Sequence, residues 1–348
     1  MPPILWDEGT GYDFFVSLYV LHHPVVFGLR PSWAAGVRSR LPAKQRDFLE
    51  KAQSFLPVPL SWLYLLPAEA KNAAGALFAL AQLPAAERLP SLLFTADTPI
   101  EAINVLREIT LRQSWSSAEQ EVLRAALNRR DNHTRPRTLN HVCEAWCDLS
   151  TTGELYLQAL TTYYEVFFAE EEERIRLSLR AAHERAVKMA EQISLPQLLA
   201  ELSHGVHFEA AQTAQEVILV PSFWSSPLVF YSQVITGKLL VLFGSRAGTE
   251  ELVPGDAVPR NLVEAMKAIA DPTRLRILHY LAEGPLTPGT LAHRLRLRPP
   301  TVSHHLNILR LSGLVEVILY ADGERGYTLR QDALQRALHH LNEFLSPT

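Results

Sequence analysis

The fold of this chain is decided by residues 287–313, which read TPGTLAHRLRLRPPTVSHHLNILRLSG. The first half predicts a short helix, because Thr287 and Pro288 form a typical helix start and apolar residues follow at helical spacing. These apolar residues are Leu291, Ala292 and Leu295. A basic turn follows the helix and leads into a second one.

The second helix is predicted from Pro300 to Leu311, with Gly313 as its C-terminal cap. Its buried face is expected to consist of Val302, Leu306 and Leu309, at positions i, i+4 and i+7. Its polar edge is expected to consist of Thr301, Ser303, His304 and Asn307. Two helices joined by a short turn, with the small Ala292 at their crossing, predict a helix-turn-helix.

The flanking residues complete a larger unit. Before the helix-turn-helix, residues 261–270 predict one helix, and Asp271 with Pro272 opens another. After it, residues 314–320 and 325–330 predict two strands joined through Asp322 and Gly323, a pair typical of hairpins. A hairpin directly after the second helix is a wing. Residues 331–345 predict a last helix with an apolar stripe of Leu334, Leu338, Leu341 and Leu345.

Three segments of this unit carry a family resemblance. AIADPTRLRIL (268–278), TVSHHL (301–306) and LSGLV (311–315) together closely resemble the ArsR-type winged-helix transcriptional regulators. The match covers about residues 260–345, a quarter of the chain. The family commonly has Gly, Ser and Gln where this chain has Arg296, Arg298 and Pro299. A usual turn glycine, a helix cap and a polar base contact are therefore replaced.

The resemblance implies binding to double-stranded promoter DNA, with the second helix in the major groove. Thr301, Ser303 and His304 would face base edges, with Asn307 on the same polar edge. Arg296, Arg298 and Arg310 would contact phosphates, with a modest contribution from Arg325 in the wing. The family pairs through its first and last helices, so the resemblance implies a homodimer through Leu334, Leu338, Leu341 and Leu345.

The distribution of charge supports this assignment. The whole chain has 33 Lys and Arg against 37 Asp and Glu, a net charge of -4. Residues 258–348 carry 11 Lys and Arg against 8 Asp and Glu, and no acidic residue falls between Gly284 and Val315. A surface that binds phosphates requires such a local bias.

The rest of the chain predicts a mainly α-helical protein with a small amount of β-structure. We expect a helical region over residues 1–202, a small antiparallel sheet over 203–253, a linker over 254–260 and the winged helix over 261–348. Residues 153–192 contain no proline and no glycine after Gly153, which predicts one long helix or two in series. The predicted strands lie at 217–220, 228–231 and 239–243.

The N-terminal region offers few chemical signals. Cys143 and Cys147 are spaced i, i+4, which could serve a soft metal or a thiol sensor, but two buried cysteines are the commoner explanation. His204 and His207 form an HxxH spacing without a clear third ligand. The last helix lacks the paired spacing of a metal sensor. We therefore expect no metal and no cofactor.

These features predict a sequence-specific transcriptional regulator, and we expect a repressor. The N-terminal region would bind a small-molecule effector or dimerise, and several aromatic residues there could line a pocket for an apolar effector as readily as fill a core. They are Trp6, Trp33, Trp62, Tyr163, Tyr164 and Trp224. Two alternatives remain open: the winged helix could be a protein-interaction module, or the N-terminal region an enzyme, although it shows no known catalytic motif. We expect no enzyme, no membrane span and a cytoplasmic location.

Overall fold

The computed structural model describes residues 2–27, 29–95, 97–128, 136–203, 205–226, 228–245, 260–320 and 324–345. As predicted, the chain is mainly α-helical, has small sheets and ends in a winged helix. Its helices are α1 (Thr10–His22), α2 (Pro31–Arg38), α3 (Ala43–Ala52), α4 (Leu60–Leu65), α5 (Ala73–Gln82), α6 (Ala85–Leu93), α7 (Ile100–Arg112), α8 (Ser117–Asn128), α9 (Pro136–Cys147), α10 (Leu149–Tyr163), α11 (Ala169–Ala190), α12 (Leu195–Leu202), α13 (Ala210–Thr213), α14 (Arg260–Ile269), α15 (Pro272–Leu281), α16 (Pro288–Leu295), α17 (Pro299–Leu311) and α18 (Gln331–Leu345). Its strands are β1 (Ile4–Trp6), β2 (Val206–Phe208), β3 (Glu216–Ser222), β4 (Phe230–Ile235), β5 (Lys238–Gly244), β6 (Val315–Leu319) and β7 (Arg325–Leu329).

The predicted long helix is present as α10 and α11, which a turn of π-helix at Tyr164–Phe168 joins. Just beyond this turn, the carboxylate of Glu172 is buried. It accepts hydrogen bonds from the hydroxyl of Thr10 and, at 3.1 Å, from the backbone N–H of Ala73. Because Thr10 and Ala73 are the first residues of α1 and α5, one side chain fixes the long helix against two helix starts.

The central sheet corrects the predicted antiparallel arrangement. Its strand order is β1-β3-β5-β4, in which β1, β3 and β5 run parallel and β4 pairs antiparallel with β5. Residues 217–221 of β3 and 239–243 of β5 are uninterrupted apolar runs because both faces of these strands are covered, which is typical of parallel sheets. Ile218 and Leu240 face the large helical core that contains α1, whereas Val217 and Leu239 face a second apolar cluster.

A second sheet joins the N-terminal region to the winged helix. Its strand order is β2-β6-β7, with β2 parallel to β6 and β6 antiparallel to β7. The predicted boundary between the sheet segment and the winged helix is therefore crossed by backbone pairing. Most of the predicted linker, residues 254–259, lies outside the described residues.

The winged helix has an apolar core of its own, which α14 to α18 and the wing enclose. This core includes Leu278, Leu291, Leu306 and Val315. Within the described ranges, no helix combines the length and the apolar character needed to cross a lipid bilayer.

Candidate DNA-binding surface

Local hydrogen bonds set the helices that support the surface. The carboxylate of Asp271 caps α15 by accepting a hydrogen bond from the N–H of Arg274 at 2.9 Å. The guanidinium of Arg274 turns back and donates to the carbonyls of Ala268 and Lys267, at 2.7 and 2.8 Å. The start of α15 and the end of α14 are thereby tied together.

The helix-turn-helix consists of α16 and α17, and the predicted buried face of α17 is confirmed. Val302, Leu306 and Leu309 are fully buried in the core of the winged helix. Of the predicted polar edge, Thr301, Ser303 and His304 are exposed and Asn307 is half-buried. The N-terminal half of α17 thus presents two hydroxyls and an imidazole to the exterior.

The turn between the two helices places two arginines beside this edge. Arg296 ends α16 in the left-handed conformation, with φ 55° and ψ 42°. Arg298 occupies the N-cap position of α17 without a side-chain cap. Both side chains are exposed. Next to them lies an open groove of about 560 Å³, whose lining includes Gly289 and His293.

The groove brings His293, which was not among the predicted DNA contacts, beside Arg296. The local excess of basic residues was the only sequence signal that included His293. The side chain of Arg294, the next residue, forms an ion pair with Glu283 at 3.2 Å and lies over the ring of Tyr280 at 5.5 Å.

Arg310 is placed apart from the other predicted phosphate contacts. It is twelve residues beyond Arg298 on α17, which is about 18 Å at 1.5 Å per residue. Its side chain is half-buried, and this burial lowers the pKa of the guanidinium. The guanidinium interacts electrostatically with Tyr327 and Arg325 of the wing and with Tyr231 of β4. Arg310 therefore lies where the N-terminal region meets the wing.

His305 lies beside the buried face of α17, a position that favours a structural role over contact with DNA. Its side chain is largely buried, with Nδ1 4.0 Å from the carboxylate of Asp271. Burial is the main cause that lowers the pKa of His305, and Asp271 opposes it. The imidazole of His304, by contrast, is exposed.

The wing exposes Arg325 at the start of β7, and its tip, residues 321–323, lies outside the described residues. At the far edge of the hairpin, Leu286 and Tyr327 exchange two backbone hydrogen bonds of 2.9 Å. Leu286 thus lies against β7 on the side away from β6.

The predicted dimer stripe is only partly covered. Leu334 packs against the core of the winged helix, whereas Leu338 is 48% exposed. Leu341 is half-buried, and the side chain of Leu345 lies outside the described residues. The exposed part of the stripe is therefore centred on Leu338.

Among the described residues, the other candidate sites do not form a metal centre. Burial raises the pKa of Cys143 to about 11 and that of Cys147 in the same direction. His204 lies outside the described residues, and His207 contacts Glu316 at 2.7 Å. Across the described parts of the chain, no group of three or more His, Cys, Asp or Glu side chains has the arrangement of a metal site.

The candidate pocket aromatics fall on both sides of the central sheet. Trp33 stacks on Trp224 with ring centres 5.9 Å apart, and Phe167 lies against both. Trp6 lies on the opposite face, against His183 and Phe243. They therefore do not form a single cluster.

Comparisons with known proteins place the winged helix. The family model of the bacterial regulatory proteins of the arsR family matches residues 271–317. The transcriptional repressor SdpR of Bacillus subtilis is 38% identical over 84 residues, which are 23% of this chain and 88% of SdpR. The HTH-type transcriptional regulator CmtR of Mycobacterium tuberculosis is 47% identical over 75 residues, 22% of this chain and 63% of CmtR. Among solved structures, HlyU from Vibrio cholerae N16961 is 33% identical, with 24% of this chain and 91% of HlyU covered at a TM-score of 0.21. Through its C-terminal winged helix, the chain belongs to the arsR family of bacterial regulatory proteins.

Proposed function

We propose that this chain binds double-stranded promoter DNA in a sequence-specific manner and represses transcription. The observation that carries the proposal is the exposed edge of Thr301, Ser303 and His304, flanked by the exposed Arg296 and Arg298. The names of SdpR, a transcriptional repressor, and CmtR, a transcriptional regulator, support it.

In this proposal α17 enters the major groove with its N-terminal half against the bases. Three side chains there can exchange hydrogen bonds with base edges: the hydroxyls of Thr301 and Ser303 and the imidazole of His304. Arg296 and Arg298 hold phosphates and fix the register. Arg310, half-buried at the other end of α17, adds less.

The test is fluorescence anisotropy on DNA from upstream of the chain's own gene and on scrambled DNA, at about 50 and about 200 mM salt. Binding is expected to prefer the upstream DNA. Arg298→Ala should reduce the salt slope by about 0.9 on both DNAs, as expected for one lost phosphate contact. Ser303→Ala should weaken binding to the upstream DNA and leave the slope unchanged.

The control variant is Arg107→Ala, which removes an exposed arginine from α7 and should change neither quantity. Equal binding to both DNAs, without a response to Ser303→Ala, would instead favour a protein-interaction module.

The proposed active form is a homodimer with Leu338 at its contact, because two-fold proteins match two-fold operators. The proposed role of the N-terminal region is effector sensing or dimerisation, without catalysis or a cofactor. An enzyme in that region is the competing proposal. It predicts an activity that survives deletion of residues 260–348.

A further inference from the structure

The wing is not free-standing, because a strand of the N-terminal region pairs with it. In β2, Val206 stands opposite Val317 of β6, and Phe208 stands opposite Leu319. The N–H of Val317 donates to the carbonyl of Gly205 at 3.0 Å. The hairpin therefore has a third strand along β6.

The N-terminal region also covers the apolar side of the wing. Val317 is buried, and Leu319 and Tyr327 pack with it into a cluster that contains Val206 and Phe208. An isolated two-stranded hairpin is at best marginally stable in water, and a third strand with an apolar face supplies what it lacks. The outer half of the wing thus depends on side chains of the N-terminal region.

Polar groups at the edge fix the register of this pairing. His207 contacts Glu316 with its Nε2 2.7 Å from the carboxylate, and Arg330 lies 3.9 Å from the same carboxylate group. Gly205 has φ +85°, and a Cβ there would stand 2.6 Å from the side chain of Glu316. A larger residue at this position would be strained and would have to displace the side chain of Glu316.

The paired strands connect β2 to Arg325, the basic residue of the wing. Phe208 is opposite Leu319, and Leu319 is opposite Arg325 across the hairpin. Three adjacent strands place the backbones of Phe208 and Arg325 about 10 Å apart, at about 4.8 Å per strand. A shift of β2 is therefore transmitted to the position of Arg325 through one intervening residue.

We propose that β2 is a positioning strand for the wing: the N-terminal region holds Arg325 where it contacts a DNA phosphate. This inference rests on the proposed function. It makes the β2-β6 pairing a route by which a change in the N-terminal region alters DNA binding, without requiring contact between that region and DNA.

The test is a double-mutant experiment in the full chain, read by the salt slope of DNA binding. Phe208→Ala loosens β2, and Phe243→Ala is the matched control, since Phe243 is a buried phenylalanine of the same cluster on the central sheet. Arg325→Ala should lower the slope by about 0.9 in the wild-type and Phe243→Ala backgrounds and leave it unchanged in the Phe208→Ala background. Arg298→Ala should lower the salt slope equally in the wild-type, Phe208→Ala and Phe243→Ala backgrounds. A general destabilisation by Phe208→Ala would instead change the effect of both arginine substitutions.

Hydrogen exchange in the DNA-free protein measures directly how stably β2 pairs with β6. Phe208→Ala should accelerate exchange of the Val317 amide and leave the amides of α17 protected. If Phe208→Ala fails to fold, Val206→Ala removes less side chain from the same contact and serves in its place.

Three results would overturn the positioning role: unchanged exchange at Val317, an equal effect of Arg325→Ala in all backgrounds, or no effect of Arg325→Ala in the wild type. If the wild-type protein binds no DNA at all, the proposed function falls first and the role of β2 falls with it. The two failures are thus told apart.

Discussion

Replacing Arg296 by glycine and, separately, by alanine is expected to separate its backbone conformation from its charge. Arg296 lies in the turn of the helix-turn-helix with φ 55° and ψ 42°. Its backbone N–H donates to the carbonyl of His293 at 3.2 Å, and the N–H of Leu297 donates to the carbonyl of Ala292 at 3.0 Å. This is the hydrogen-bond pattern of a helix end at which glycine is the usual residue.

The magnitude follows from this conformation. The left-handed conformation costs a residue with a Cβ about 1–2 kcal/mol of folding free energy. Glycine avoids this cost, but it loses about 0.5–1 kcal/mol relative to alanine because it is more flexible in the unfolded chain. Arg296→Gly should therefore be more stable than Arg296→Ala by about 0.5–1 kcal/mol, because alanine keeps the strained conformation. Both variants lose the same guanidinium.

Native-state hydrogen exchange at the amides of Leu291 and Leu295 in α16 reports the local free energy of opening. Exchange should be about two- to fivefold slower in Arg296→Gly than in Arg296→Ala. The salt slope of DNA binding should fall by about 0.9 in both, because each lacks the same phosphate contact. Equal exchange in the two variants would refute the strain, and an unchanged slope in both would refute the phosphate contact.

Three further predictions concern single groups. Leu338→Asp places a charge on the exposed part of the α18 stripe, so sedimentation should show a weaker dimer; an unchanged dimer would place the interface elsewhere. Burial lowers the pKa of His22 to about 4, so its neutral form belongs to the folded state. Wild-type stability should fall as the pH drops from about 6.5 towards 4, more steeply than in His22→Asn, as denaturant titration at each pH would show. The hydrogen bond to the N–H of Arg274 is the main cause that lowers the pKa of Asp271, so its cap is complete above the ordinary carboxyl pKa and is lost as the pH falls through the lowered value. Asp271→Asn caps without titrating, and exchange at the start of α15 should then lose this acid dependence.

The winged helix was predictable from the sequence because the starts of α15 and α16 and the end of α17 carry local chemical signals. Asp271 caps α15 as its type and position predict, and Thr287 caps α16 by accepting from Thr290. Gly313 has φ +72°, which the predicted cap after α17 requires. The observed start of α17 at Pro299 differs from the prediction by one residue. Such signals depend on neighbours in the chain and need no knowledge of the rest of the fold.

Of the central sheet, β3 and β5 were predicted in position, β4 was predicted two residues too early, β1 was missed within the predicted helical region, and the predicted antiparallel direction was wrong for β3 and β5. Strands β3 and β5 were recognised from their apolar residues, but strand direction depends on which segments pair. β1 has only three residues, too few for a pattern, and it pairs with residues more than two hundred positions later. The continuous apolar runs of β3 and β5 were the available signal, since only strands covered on both faces have no polar alternation.

The pairing of β2 with the wing shows where a local pattern misleads and where it still contains a clue. His207 belongs to an HxxH spacing that suggests a metal ligand, yet its partner is Glu316, 109 residues further along the chain. No rule of spacing connects two such positions. The clue lies in the wing itself, because Val317 and Leu319 continue its apolar face almost to the tip. A free-standing wing would leave these side chains in water, so a wing that is apolar to its end requires a cover from elsewhere in the chain. In this protein the cover is β2, which is why the DNA-binding unit and the N-terminal region are built as one structure.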